Sequence, residues 1–193
     1  AGTTAPILCP PGTFSAASGL INASECDICT AGSYCASAGL TAPDGPCAAG
    51  YYCPFGMTTA TPEGYNCTGG KYCPAGSSAP IDCPAGSYNE ESVTGKVDCD
   101  PCPARHFCNI VEQQAAPYSL PGDRVRPVIC PKGYFCPNGT ASKNDNPCPS
   151  GTYGNTTGLA DADDCMKCSP GMYCLNPGSV SETGLCEAGY FCR

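Results

Sequence analysis

The chain has 193 residues and a net charge of −8, and 20 of its residues are cysteine. Leu, Ile, Val and Phe together number only 24, far below the ~20% share that marks a chain with a self-supporting apolar core, so cross-links have to replace that core. The nine basic residues are scattered and form no phosphate-binding stripe, which argues against a nucleic-acid partner. No apolar run reaches the ~18 residues of a membrane span, so we expect no membrane insertion by this segment.

An even number of cysteines in a core-poor chain predicts a disulfide framework. Disulfides form and persist in oxidising compartments, so the composition predicts a secreted, extracellular or cell-surface protein. The chain lacks an initiator Met and ends abruptly after a cysteine, and elsewhere the same motif continues. We therefore expect a mature segment of a longer array.

One heptapeptide, C-x-x-G-x-[YF]-C, recurs along the chain. Its seven copies are Cys29–Cys35, Cys47–Cys53, Cys67–Cys73, Cys102–Cys108, Cys130–Cys136, Cys168–Cys174 and Cys186–Cys192. A short form without the closing cysteine, C-P-x-G-[TS]-[FY], begins at Cys9, Cys83 and Cys148. Gly at the fourth position can adopt positive φ and close a tight turn; one copy has Arg105 there instead. We expect the aromatic residue to pack beside a disulfide.

The order of these copies predicts three repeats. The predicted organisation is a leader over 1–8, repeat 1 over 9–53, a linker over 54–82 with an inserted turn at 67–73, repeat 2 over 83–136 with a long loop at 109–129, a linker over 137–147, and repeat 3 over 148–193. The predicted fold is small and disulfide-rich, mostly irregular with short β-hairpins. Since each repeat would touch only its neighbours, we expect an elongated tandem-repeat rod with almost no helix.

The sequence also contains four N-glycosylation sequons, which agree with a secreted chain. Their predicted glycan-bearing residues are Asn22, Asn66, Asn138 and Asn155. All four lie between or beside the cysteine-rich turns, where a glycan could project into solvent.

The combination C-P-x-G-[TS]-[FY]…C-x-x-C-x-x-G-x-[YF] over residues 9–192 resembles the GCC-type, or ephrin-receptor-like, cysteine-rich repeats, and more distantly the tumour-necrosis-factor-receptor modules. Such repeats occur in large secreted and surface proteins of animals, algae and protists, including mastigoneme-type flagellar-hair filaments. The extra cysteine after the aromatic residue, the lone turn at 67–73 and Arg105 depart from the family pattern.

The resemblance implies a crossed disulfide pairing, which we prefer because it ties consecutive turns together. The implied pairs are Cys9–Cys26, Cys29–Cys47, Cys35–Cys53, Cys67–Cys73, Cys83–Cys99, Cys102–Cys130, Cys108–Cys136, Cys148–Cys165, Cys168–Cys186 and Cys174–Cys192. The alternative closes every heptapeptide on itself. Sequence alone leaves both open.

Few residues suggest chemistry. The C-x-x-C pairs (Cys26/Cys29, Cys99/Cys102 and Cys165/Cys168) are better explained as half-cystines than as redox or zinc sites, because no βαβ pattern surrounds them. The only histidine, His106, lies inside a turn and is a poor general base. The chain also has a short acidic loop at Asp161, Asp163 and Asp164. A solvated turn is the preferred interpretation of this loop, and a calcium-binding loop is the alternative. The sequence predicts no catalytic residue, no cofactor and no metal ligand.

Two functions fit these features. The first is a structural extracellular glycoprotein, a segment of a surface filament, flagellar hair or coat, whose partners are covalent glycans and copies of itself or other coat or filament proteins. The second is a receptor or adhesion ectodomain that binds a ligand through the middle repeat. The unusual residues of that repeat are Arg105, His106, Val111, Tyr118, Arg124 and Arg126.

Overall fold

The structure is a computed structural model that describes residues 5–90, 94–109 and 126–192. It is a small disulfide-rich fold that is mostly irregular. Its regular elements within these ranges are two-residue strands and two three-residue 3-10 helices, at Ala23–Glu25 and Ala162–Asp164. The described residues contain no α-helix. This confirms the predicted fold class.

Each hairpin joins two strands that follow one another in the chain, and every pair is antiparallel. The strands are β1 (Thr13–Phe14), β2 (Asp27–Ile28), β3 (Ser33–Tyr34), β4 (Gly45–Pro46), β5 (Lys71–Tyr72), β6 (Ile81–Asp82), β7 (Ser87–Tyr88), β8 (Asp100–Pro101), β9 (His106–Phe107), β10 (Val128–Ile129), β11 (Thr152–Tyr153), β12 (Met166–Lys167), β13 (Met172–Tyr173) and β14 (Gly184–Leu185). In every case the first strand follows the fourth position of a turn, and the second strand directly precedes the cysteine that opens the next turn.

The cysteine motif is a tight turn whose local geometry follows from its residue types. In the first copy Gly12 has φ +84°, and the N–H of Thr13 donates to the carbonyl of Pro10 at 3.1 Å. A positive-φ third residue with this hydrogen bond is the arrangement of a type II turn. The Thr13 hydroxyl also donates to the Pro10 carbonyl, at 2.7 Å. The second bond accounts for Ser or Thr after the glycine in the short form.

Consecutive turns are joined by backbone hydrogen bonds. Gly12 N–H donates to the carbonyl of Cys35, which closes the next turn, at 2.9 Å. Cys29 N–H, which opens that turn, donates back to the Gly12 carbonyl, also at 2.9 Å. The same reciprocal pair links Gly32 with Cys53 and Cys47, at 2.8 Å each. Each turn is therefore held by the one that follows it.

The same bonds continue outside the predicted repeats. Gly50 donates to the Cys73 carbonyl at 2.8 Å and accepts from Cys67 at 3.0 Å. The turn at 67–73, predicted as an insertion in a linker, thus follows its predecessor in the same way as the turns of the repeats. In the later part of the chain, Gly86 donates to the Cys108 carbonyl and accepts from Cys102, both at 2.8 Å.

All twenty cysteines lie in the described ranges, and all are disulfide-bonded. Every complete heptapeptide closes on itself. The pairs are Cys29–Cys35, Cys47–Cys53, Cys67–Cys73, Cys102–Cys108, Cys130–Cys136, Cys168–Cys174 and Cys186–Cys192, and two short forms are closed by Cys9–Cys26 and Cys148–Cys165. Cys83 and Cys99, the members of the remaining predicted pair, are also disulfide-bonded.

The crossed pairing is therefore wrong for six bridges, whereas Cys9–Cys26, Cys67–Cys73 and Cys148–Cys165 are confirmed. The incorrect pairs are Cys29–Cys47, Cys35–Cys53, Cys102–Cys130, Cys108–Cys136, Cys168–Cys186 and Cys174–Cys192. The positive-φ residue reverses the chain, so the two cysteines of one heptapeptide come within bonding range; in Cys47–Cys53 the Cα atoms are 5.7 Å apart. Backbone hydrogen bonds, not crossed bridges, connect the turns.

The disulfides themselves are the core. Eleven cysteines have an exposed fraction of 1% or less, and the only other apolar side chains among the described buried residues are Phe107 and Leu159. The aromatic residue of one turn packs on the bridge of the next: Tyr88 contacts Cys102 and Cys108, and Phe107 contacts Cys130 and Cys136. This confirms the expected ring-on-disulfide packing.

The chain forms two compact units. The first comprises Ala1–Asp82 and Asn89–Cys99, and the second comprises Cys83–Tyr88 and Asp100–Arg193. The predicted three-repeat boundaries stay a prediction.

Candidate functional site

The four sequon asparagines lie within the described residues, on separate turns. Three of these residues are exposed: Asn22, Asn138 and Asn155. Asn66 is half-buried, and its backbone forms an isolated antiparallel β-bridge with Tyr51. Asn138 lies in a turn where the N–H of the next residue, a glycine, donates to the Cys102 carbonyl at 2.8 Å. Three of the four side chains thus lie at positions that could accommodate a bulky surface modification. Their glycosylation stays a prediction.

Asn22 also has a structural role. It is the N-cap of the 3-10 helix Ala23–Glu25, and its Oδ1 accepts from the N–H of Ser24 at 3.0 Å. Its Nδ2 donates to Glu25 Oε1 at 3.1 Å. The other oxygen of Glu25 accepts from the N–H of Ile21 at 2.9 Å. The two side chains therefore bind the backbone on both sides of the cap.

Arg105 is the only described non-glycine residue with positive φ, at +75°. Its backbone still makes the bonds between turns: its N–H donates to the Cys136 carbonyl at 2.7 Å, and its carbonyl accepts from Cys130 at 2.8 Å. A non-glycine residue in the left-handed region costs about 1–2 kcal/mol. An arginine in place of the usual glycine therefore strains the backbone locally, inside an otherwise regular motif.

The Arg105 side chain makes a contact that a glycine could not make. Its guanidinium donates to the Gly158 carbonyl at 3.1 Å. The pKa of the Asp164 carboxyl is lowered, chiefly because the N–H of Ala160 donates a hydrogen bond to it. The backbone of Asp161 and the positive charge of Arg105 lower this pKa by smaller amounts. Arg105 thus connects the turn at Cys102–Cys108 with the segment around residues 158–164.

The acidic loop has a structural explanation. Asp161 is the N-cap of Ala162–Asp164, and its Oδ1 accepts from Asp163 N–H at 2.9 Å and from Asp164 N–H at 3.3 Å. Asp164 Oδ2 accepts from Ala160 N–H at 2.7 Å. No cluster of three or more potential metal-ligating side chains occurs among residues 5–90, 94–109 and 126–192. The carboxylates of Asp161 and Asp164 therefore hold the start of this 3-10 helix.

The other residues considered for chemistry lie apart from one another. The cysteines of the three C-x-x-C pairs are all disulfide-bonded, so no thiol is present there. His106 lies in β9, half-buried, and its Nδ1 lies 3.2 Å from the carbonyl of Ala104. Of the unusual middle-repeat residues, Val111, Tyr118 and Arg124 lie outside the described residues, as does most of the loop 109–129.

Sequence reasoning missed Asn89. It occupies the position of the closing cysteine in the short form that begins at Cys83, and only 2% of it is exposed. Its Nδ2 donates to the carbonyls of Lys71 and Asp98, at 3.0 and 3.1 Å. Its backbone carbonyl accepts from Gly70, as a closing cysteine would. An alignment of the short forms with the heptapeptides identifies this position.

The residues that the structure describes include no helix with the length and hydrophobicity of a membrane span. Among known proteins, no protein-family model matches this chain, and no curated protein matches its sequence.

Proposed function

We propose that this chain is a segment of a structural extracellular glycoprotein that builds a surface filament, flagellar hair or coat. The observation that supports this most is the repetition of one reciprocal pair of backbone hydrogen bonds from turn to turn. A chain built this way gains stiffness and protease resistance from every added turn, because each turn is held by its neighbour. The same arrangement has no evident use in catalysis.

The disulfides support the extracellular location. A chain in which every cysteine is oxidised is typical of secreted and surface proteins, since cytosolic reductants keep thiols reduced. The exposed sequons at Asn22, Asn138 and Asn155 are consistent with passage through a secretory pathway. The chain also resembles the GCC-type repeats, which occur in surface and flagellar-hair proteins. This resemblance favours the same extracellular location.

The proposed partners are copies of this chain or other coat proteins. Several large apolar side chains are exposed outside the disulfide core, among them Ile28, Phe55 and Leu185. Phe55 is the clearest of these, because it lies at the tip of a turn where the other copies carry small or polar residues. Such side chains are suited to contacts between subunits.

Secretion of the chain from eukaryotic cells tests the proposal. We expect the purified glycoprotein to assemble into regular filaments or sheets as its concentration rises, seen by negative-stain electron microscopy and sedimentation. The matched variant Phe55→Ser should fold identically, by disulfide mapping, yet assemble at higher concentration. A chain that stays monomeric at high concentration would contradict the structural proposal.

A second candidate, a ligand-binding ectodomain, rests on Arg105. Strained residues persist where the surrounding structure or a function compensates for them, and Arg105 is exposed beside its contact with Gly158. If this candidate is correct, the fluorescently labelled chain binds saturably to cells of the organism that produces it. The variant Arg105→Ala then abolishes this binding. Lys132→Ala, which removes another exposed basic side chain, is the control and should retain it.

A further inference from the structure

Two segments of the chain have the same local structure but different surfaces. Residues 20–25 and 159–164 each precede the second cysteine of a bridge with sequence separation 17. In the first, Asn22 caps a 3-10 helix and Glu25 accepts from the N–H of residue 21 at 2.9 Å. In the second, Asp161 caps the helix and Asp164 accepts from the N–H of residue 160 at 2.7 Å. The two segments therefore provide an internal comparison.

The apolar residues before the cap differ between them. In the second segment Leu159 is 9% exposed and packs with Cys148, Cys165 and Phe135, and the next residue is a small alanine. In the first segment Leu20 is 36% exposed and the next residue, an isoleucine, is 88% exposed. The first segment thus exposes two adjacent large aliphatic side chains to solvent where its counterpart has one buried side chain and one small one.

The cap residue differs in the same comparison. Asn22-Ala23-Ser24 is a sequon, whereas Asp161 cannot carry an N-linked sugar. Asn22 is exposed, and an amide nitrogen has two hydrogens, of which the bond to Glu25 uses one. The other hydrogen can be replaced by a sugar while Oδ1 continues to accept from Ser24 N–H.

We propose that Asn22 carries an N-linked glycan that covers Leu20 and Ile21 and prevents this surface from associating with other molecules. In its attachment, Nδ2 loses a proton and bonds to C1 of the sugar, the bond from C1 to the diphosphate oxygen of a lipid-linked oligosaccharide breaks, and the lipid diphosphate leaves with the electron pair. A glycan is bulky and solubilising, so it restores a hydrated surface over the aliphatic pair. This inference rests on the proposed secretory route.

The variant Asn22→Asp tests the inference without removing the cap, because Asp161 makes the same cap in the other segment. The chain is secreted from eukaryotic cells, its glycopeptides are identified by mass spectrometry, and its binding of a dye specific for apolar surfaces is measured. We expect Asn22→Asp to increase dye fluorescence several-fold and to promote self-association. Asn155→Asp, which removes another exposed sequon, is the matched control and should leave both unchanged.

A second variant separates loss of the shield from other effects of the lost sugar. Ile21→Ala in the Asn22→Asp background reproduces the residue found at Ala160 and should return dye fluorescence to the wild-type value. The inference is overturned if Asn22 carries no glycan while Asn138 or Asn155 does, or if Asn22→Asp and Asn155→Asp behave alike; the proposed extracellular function survives either result. If no sequon is occupied, the inference and the proposed secretory route both fail.

Discussion

Five glycines at the fourth position of a turn lie opposite a backbone oxygen: Gly12, Gly32, Gly50, Gly86 and Gly133. At Gly151, Gly171 and Gly189, in the later turns, a Cβ would meet nothing within 4 Å. At Gly86, with φ +85°, a Cβ would lie 2.5 Å from the Gly139 carbonyl oxygen. Gly19 lies outside these turns; there φ is +80°, and a Cβ would meet nothing within 4 Å. The two positions separate the cost of positive φ from the cost of a steric clash.

We expect Gly86→Ala to lower the free energy of unfolding by about 2–4 kcal/mol, from left-handed strain together with overlap against backbone that cannot move aside. Gly19→Ala carries the strain alone and should cost about 1–2 kcal/mol. Arg105→Ala keeps the positive φ already present and loses one hydrogen bond, a cost of about 1 kcal/mol. Guanidinium denaturation with the disulfides intact measures all three, and equal losses at Gly86 and Gly19 would contradict the steric explanation.

The Asp164 carboxyl provides a prediction for pH. Its pKa lies below the ordinary value of 3.8, chiefly because Ala160 N–H donates to the ionised form. A lowered folded-state pKa stabilises the fold above pH 3.8, and this contribution is lost as the pH falls through the lowered value. Protection of the Ala160 amide from hydrogen exchange should therefore decrease over that acidic range.

The Asp164 titration itself can be followed by NMR of the carboxyl carbon. Arg105→Ala should raise the Asp164 pKa slightly, because Arg105 is the smallest of the named lowering causes. Asp164→Asn should remove the pH dependence of Ala160 protection. A normal or raised Asp164 pKa in the wild-type chain would show that this cap does not form as described.

The element that repeats in this molecule is a turn closed by its own bridge. In Cys29–Cys35 and Cys47–Cys53 both cysteines are completely buried, whereas Cys9 and Cys26 are each partly exposed. In thiol–disulfide exchange a thiolate has to reach a sulfur atom of the bridge. The solvent exposure of the sulfur atoms therefore controls the order in which the disulfides open.

Non-reducing proteolysis and mass spectrometry should recover Cys29 bonded to Cys35 within a single stretch of chain, because the turn brings these two cysteines together. A fragment in which Cys29 is bonded to Cys47 would instead support the crossed arrangement.

Brief treatment with a low concentration of a small thiol, followed by alkylation, should label Cys9 and Cys26 before Cys29 and Cys35, since the first pair is partly exposed and the second is buried. The two bridges lie in the same predicted repeat, so each serves as the control for the other. Simultaneous labelling of all four cysteines would mean that the turn opens as a whole before exchange.

At the scale of the whole molecule, the disulfides take the place of an apolar core. Only Phe107 and Leu159 join the cysteines among the described buried apolar residues. A native disulfide in a small secreted domain contributes about 2–5 kcal/mol, and Leu, Ile, Val and Phe together supply only 24 residues. The folded state therefore depends on oxidation.

Full reduction should unfold the chain at room temperature, whereas the oxidised chain should keep its amide chemical-shift dispersion on strong heating. Two-dimensional NMR before and after reduction and alkylation measures both. Recovery of native dispersion in the fully alkylated chain would show that hydrogen bonds and aromatic contacts suffice without the bridges.

Local features of this protein follow directly from the order of its residues. The spacing of Cys, Gly and the aromatic residue predicts the turns, the ring packing and the small irregular fold, because a positive-φ glycine and a nearby cysteine act over only a few bonds. The turns and their ring packing need no information from distant parts of the chain. The bridges Cys67–Cys73 and Cys9–Cys26 are also correct, but it was the family resemblance that implied them.

Tertiary structure alone decided what joins one turn to the next. The crossed bridges were expected to do so, yet the link is a pair of backbone hydrogen bonds, as between Gly12 and the turn Cys29–Cys35. Backbone groups are nearly identical in every residue, so no residue pattern reveals their partners. The contact of Arg105 with Gly158, 53 residues away, and the carbonyl partners of the Asn89 amide likewise became visible only once distant segments were placed together.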